Sequence, residues 1–160
     1  MFKLVPAGEK IMSSIQSKLP TVARYLLGLA FFVFGLNGFL HFIPQPPMSG
    51  PPANFIGALV ASGYLIPLLK GTEVLAGALL LANRYVPLSL ALLAPVLVNI
   101  VAFHVFLEPA ALALPLVLLA AELYLARSYR DAFAPMLHAQ NTPHVSPPAS
   151  GRGRVTATAS

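Results

Sequence analysis

Four stretches of the chain are almost wholly apolar, and proline- or charge-bearing breaks separate them. They cover about 22–43, 64–82, 86–107 and 111–129, the last losing its apolar character after Ala126. Each approaches the ~20 residues that an α-helix needs to cross the hydrocarbon of a bilayer. The pattern therefore predicts an all-α fold, a four-helix transmembrane bundle. The run Pro44–Pro52 cannot continue the first helix. Between it and Gly63 lies the short apolar piece Asn54–Ser62, where Phe55 and Ile56 recur with Leu59 and Val60 at helical spacing. This adds a short interfacial or re-entrant segment between spans 1 and 2.

The breaks set the boundaries. Asn83–Arg84 is a tight turn, Pro87 suits the first turn of the third helix, and Glu108–Pro109 makes the next turn. Residues 1–20 read as a basic N-terminal arm ended by Pro20, and 21–134 as the membrane domain. Residues 135–160, rich in Ser, Thr, Pro, Gly and Ala, read as a disordered tail. Composition agrees with a bilayer as solvent. Of 160 residues 57% are hydrophobic and 9% charged, where a soluble domain has about a quarter charged. A cleaved signal peptide is the competing reading of the N-terminus, but 25–40 is long for a signal core and no small-x-small site follows.

A net charge of +5 could suggest nucleic acid; its placement argues otherwise. Lys3, Lys10, Lys18 and Arg24 lie at the front, Arg84 in the second connection, and Arg127, Arg130, Arg152 and Arg154 at the back. The first and third connections carry no Lys or Arg. Cytoplasmic excess of these residues puts both termini and the Asn83–Arg84 turn inside. The expected surroundings are the lipid bilayer.

Polar groups inside hydrocarbon need partners and tend to face the bundle interior. At about 1.5 Å of rise per residue, His41, Lys70 and His104 fall ~5 Å below the outer surface, and Asn37, Glu73 and Asn99 ~9–12 Å below it. These six form a candidate polar cluster at two matching levels of one leaflet. Asn37 and His41 share a face by spacing, and Lys70 can pair with Glu73 three residues on. Asn99 and His104 stand about 140° apart and meet one partner only if Pro95 bends the helix. Plainer readings exist for each: a snorkelling Lys70, interfacial histidines, asparagines that join helices, and a structural Lys70–Glu73 pair. Glu122 sits apart, toward the cytoplasmic end, as a candidate for a structural ion pair with Arg24 or Arg84. Gly28, Gly35, Gly38, Gly71 and Gly77 would let the first two spans approach closely.

Without cysteine the chain offers no disulfide, thiol chemistry or cysteine-held metal. It has no phosphate-binding glycine loop, no HExxH, no usable Ser/His/Asp arrangement and no internal repeat. No metal site is expected, and the histidines sit too near span ends to favour a haem. Any redox role would need a bound carrier such as a quinone.

The series Gly35-Leu-Asn37-Gly38-Phe-Leu-His41-Phe42, Gly63-Tyr-Leu65, Lys70-Gly-Thr-Glu73-Val-Leu-Ala-Gly77, Asn83-Arg-Tyr-Val-Pro87 and Ala94-Pro-Val-Leu-Val-Asn99-Ile100 with His104 resembles the DoxX family. The likeness covers about 23–129 and omits both tails. It implies a small four-span protein of a bacterial inner (cytoplasmic) membrane. The family takes its name from a membrane component linked to thiosulfate:quinone oxidoreductase, and its wider superfamily includes assembly chaperones and cargo receptors. It has no common catalytic residue set, so the resemblance transfers none. Two functions follow as expectations. One is a quinone-linked redox component or subunit of an oxidoreductase complex, with Glu73 exchanging a proton beside His41, Lys70 or His104. The other is a non-enzymatic scaffold or assembly factor for another membrane protein. A small transporter fits less well, because four spans are few and no inverted repeat is visible.

Overall fold

The computed structural model describes residues 7–44 and 46–137, with side chains described for 17–44 and 46–136. The expected disorder of 135–160 lies mostly outside the described residues, and so does the start of the basic arm. What is described is all-helical: α1 Ala7–Leu40, α2 Pro51–Ala61, α3 Leu65–Leu81, α4 Val86–Phe106, α5 Ala113–Ser128 and the single turn α6 Arg130–Phe133. Short 3-10 turns occupy Pro109–Ala111 and Ala134–Leu137.

Pro20 does not end the arm, contrary to expectation. α1 runs through it as one helix of 34 residues. A proline deletes one hydrogen bond and crowds one carbonyl, and here the long run of helix formers on both sides carries the ladder past the gap. At the other end α1 stops at Leu40, three residues before the expected boundary. Pro44 disfavours helical backbone at Ile43, and His41 turns into the left-handed region at φ 51°.

The prolines at 51 and 52 do not merely terminate. They open α2, occupying its first turn, where the missing N–H has no partner to lose. The expected segment between spans 1 and 2 is thus an 11-residue helix, about 17 Å long and too short to cross alone. It meets α3 at 91°. Gly63, at φ 76°, makes the corner. Ser62 stitches it, its hydroxyl donating to the Leu59 carbonyl at 2.6 Å and accepting from the Leu65 N–H at 3.1 Å.

By length and composition, Ser17–Leu40 and Val86–Phe106 suit a membrane crossing, and the bent α2–α3 pair makes a third if taken as one span. α5 has 16 residues, about 24 Å, and falls short of the ~30 Å hydrocarbon by itself. Helices α1, α3, α4 and α5 nonetheless pack in a ring, α1 on α3, α3 on α4, α4 on α5 and α5 back on α1. Their shared core holds Leu27 and Phe31 of α1, Ala76 and Leu80 of α3, Leu90, Leu93 and Leu97 of α4, and Leu118 and Leu125 of α5. The 3- and 4-residue spacings put these leucines on one face of each helix.

The α1–α3 seam is the tightest. A Cβ on Gly77 would stand 2.5 Å from the Phe32 nitrogen and 2.9 Å from the Gly28 oxygen, both backbone atoms. A Cβ on Gly35 would meet the Val74 nitrogen at 2.9 Å. Of the glycines expected to allow this approach, Gly71 alone plays no part, with nothing within 4 Å of its Cβ position.

Gly77→Ala must push the two backbones apart, and about 1–3 kcal/mol of destabilisation is expected in detergent unfolding titrations. Gly71→Ala should be neutral or stabilising by up to about 1 kcal/mol, from helix propensity alone. Equal losses at both positions would contradict the seam.

Candidate functional site

A single turn of α3 carries the expected acid and its cation. Lys70 Nζ donates to both carboxylate oxygens of Glu73, at 2.8 and 3.1 Å. Three residues of helix separate the two, so both project on one face. Glu73 is 1% exposed and Lys70 24%. The lid over them is α1. A Cβ on Gly38 would collide with the aliphatic stem of Lys70, and one on Gly35 would stand 3.0 Å from Glu73 Cβ. Two residues without side chains on α1 thus leave room for the pair.

The remaining members of the six-residue cluster go elsewhere. Asn37 is buried, but its amide serves the end of its own helix. Its Oδ1 accepts from the Ile43 N–H at 2.6 Å and its Nδ2 donates to the Ile43 carbonyl at 3.3 Å. The chain folds back over Asn37 because the His41 N–H still bonds the Asn37 carbonyl, at 2.9 Å, while His41 itself turns left-handed. His41 is exposed and shares no face with Asn37. Asn99 is exposed as well, beside a shallow hollow lined by Phe55, Phe103 and Phe106. His104 directs Nδ1 to the Ile100 carbonyl at 2.7 Å, so that nitrogen carries the ring proton, and the ring stands edge-on to Phe103 at 5.2 Å.

The levels inferred from the helical rise brought the six residues to similar depths, but depth fixes only one of two coordinates. α4 continues through Pro95 as one element, and Asn99 and His104 find separate surroundings. Among the described residues no hydrogen bond or ion pair joins His41, Asn99 or His104 to Lys70–Glu73. No group of three or more potential metal ligands gathers there either.

Toward the other end of the bundle the expected ion pair of Glu122 does not form. Arg24 is buried, and its Nη1 donates to the Leu80 carbonyl and, at 3.3 Å, to that of Leu81. Its guanidinium also lies 4.4 Å over the Tyr25 ring. A helix end leaves its last carbonyls without partners and carries partial negative charge, so a cation there is doubly favoured. Arg84 is exposed in the turn. Glu122 is 5% exposed, and neither carboxylate oxygen has a hydrogen-bond partner. It lines a groove of about 220 Å³ between α4 and α5.

Comparison with protein-family models, with curated proteins and with solved structures finds no match to this chain.

Lys70→Met strands a buried carboxylate, and a loss of about 3–5 kcal/mol in detergent unfolding is expected. The double variant Lys70→Met/Glu73→Leu should regain most of it, since an apolar pair of similar volume suits the site. Equal stability of the single variant and the parent would show that the pair holds nothing together.

Proposed function

We propose that the chain is a DoxX-like, four-span protein of a bacterial inner membrane that works as a non-enzymatic scaffold or assembly factor for another membrane protein. The observation that carries this reading is where the polar side chains go. Lys70 engages Glu73, Asn37 closes α1 and Arg24 closes α3. Polar groups used in this way pair along one helix, close a helix end or, at Arg24, join two helices, and among the described residues they leave no assembled set of acids, bases and donors around a cavity.

In the proposed arrangement α1 and α4 cross outright, α3 crosses with α2 lying at its outer end, and α5 crosses with help from the turns that flank it. Both termini and the Asn83–Arg84 turn face the cytoplasm, on the Lys and Arg counts. Arg24 and the Leu80–Leu81 carbonyls then meet near the cytoplasmic side, and Lys70–Glu73 in the outer half.

One observation favours the second reading, a quinone-linked redox component. Lys70 keeps about a quarter of its side chain exposed above a nearly inaccessible acid. A quinone headgroup oxygen at that opening would find a donor with a proton-holding carboxyl behind it.

Cross-linking in native membranes separates the two. The scaffold reading expects one dominant protein partner, retained in Glu73→Gln. Stoichiometric quinone in the lipid-purified protein, lost in Glu73→Gln, would instead establish the redox reading. A reporter fused after Ser160 should be active only in the cytoplasm; activity outside would overturn the orientation.

A further inference from the structure

The amide of Asn99 is exposed and takes part in no hydrogen bond among the described residues. Seven residues, about 10 Å of helix, separate it from the end of α4 at Phe106. On the membrane placement proposed above it therefore faces hydrocarbon, where an unpaired donor or acceptor is costly. Asn37 meets the same demand by closing on Ile43. Asn99 cannot turn to the core of its own bundle. That side of α4 belongs to Leu93 and Leu97, both 0% exposed, about 120° and 160° around the helix from it.

The residues beside Asn99 form a seam. Leu88, Leu92, Pro95, Asn99, Ala102 and Phe106 follow one another at intervals of four, three, four, three and four. At about 100° per residue they fall within an arc of about 80° on the side away from Leu93 and Leu97. None of the six is buried. Alternating steps of three and four are the spacing of a helix that packs along a second, roughly parallel helix. The seam spans 18 residues, about 27 Å, close to the full ~30 Å of hydrocarbon. Ala102, one turn from Asn99, has only a methyl group to hold a second backbone away.

Hydrogen-bond chemistry identifies that second helix. A carboxamide carries partial positive charge on its N–H groups and partial negative charge on its oxygen. Its full complement is another carboxamide, turned so that each donates one N–H to the other's oxygen. Copies inserted with the same topology hold Asn99 at the same depth. A two-fold axis along the membrane normal then brings the two amides together without sliding one chain against the other. A lipid tail at that depth offers neither donor nor acceptor. A single asparagine within such an apolar seam fixes both its register and the number of strands.

We propose that two copies of this chain pair in parallel along the outward seam of α4, their Asn99 amides hydrogen-bonded reciprocally across the two-fold axis. The pairing requires α4 to cross the bilayer. It is independent of whether the chain serves as a scaffold or as a redox component.

The chain has no cysteine, so single cysteines can be introduced into it directly. The full chain with Ala102→Cys, at low density in vesicles of zwitterionic lipid, should form a disulfide-linked dimer on oxidation with copper phenanthroline. Leu75→Cys, on α3 and also exposed to lipid, should not. Energy transfer between chains labelled at Ser160→Cys and diluted stepwise with lipid gives the dimer dissociation constant. Asn99→Leu should raise that constant by about three- to thirtyfold. Asn99→Gln, which keeps the amide, should recover most of the loss. Equal transfer in the parent and Asn99→Leu, or cross-linking at Leu75→Cys as strong as at Ala102→Cys, would overturn the pairing. So would a photoreactive probe on Ala102→Cys that labels a different protein in native membranes and no second copy, because that protein would then occupy the seam. Alkaline washing of the same vesicles reads the membrane placement by itself. A chain that stays with the lipid yet remains monomeric sinks the pairing alone, and a chain that is released sinks the placement with it.

Discussion

Backbone-to-backbone contact between α1 and α3 sets the positions of the other polar groups. Gly77 admits the α1 backbone near Phe32, and Gly28 and Gly35 keep the facing side of α1 bare. Helices that approach this closely gain dispersion contacts that lipid cannot replace, which is the main attraction available to them inside a bilayer. The seam also brings two polar anchors into register. At one end the Gly38 position accommodates Lys70 on its way to Glu73; at the other, Arg24 reaches the last carbonyls of α3. Any side chain that separated the helices would loosen both.

Helix positions were largely legible in the sequence because they depend on local rules. The third span was expected at 86–107 and α4 occupies Val86–Phe106, with Pro87 in its first turn. Proline was misread where its effect depends on context. Pro20 lies within a strong helix and does not stop it, while Pro51 and Pro52 begin α2 three residues before the expected start of the segment. The same residue type ends, bends or begins a helix according to which carbonyl it crowds and whether its missing N–H had a partner.

The site was less legible than the fold, because residues were matched by depth without their direction around each helix. Lys70–Glu73 could be read from the sequence since both members ride one helix three residues apart. Asn99 and His104 needed tertiary information, and their 140° separation was the sequence's own warning. Asn37 illustrates a different gap. Its partners are the N–H and C=O of Ile43, a backbone closure that follows from the left-handed turn at His41 and not from any pattern of side chains.

Arg24 and Glu122 show how a backbone can outcompete a side chain. Both were expected near the cytoplasmic end, and a carboxylate is ordinarily the stronger partner for a guanidinium. The carbonyls of Leu80 and Leu81 have two advantages here. The helix end fixes them in place, so no side-chain entropy is lost in presenting them, and although the Leu80 carbonyl also accepts from the Asn83 N–H, Arg24 adds a charged donor where the helix end carries partial negative charge. A second cation would be needed to serve Glu122; Arg127, on the same helix, is exposed, and Arg84 lies exposed in a turn whose backbone is fixed by bonds from Asn83 and Arg84 to the Leu80 and Leu79 carbonyls. With Arg24 engaged in closing α3, Glu122 has no hydrogen-bond partner among the described residues. The acid's isolation follows from the way the neighbouring helix is capped, and a groove beside it follows from three alanines, Ala91, Ala94 and Ala126. These two causes are independent, and their meeting at one place gives α5 a feature that its composition alone would not suggest.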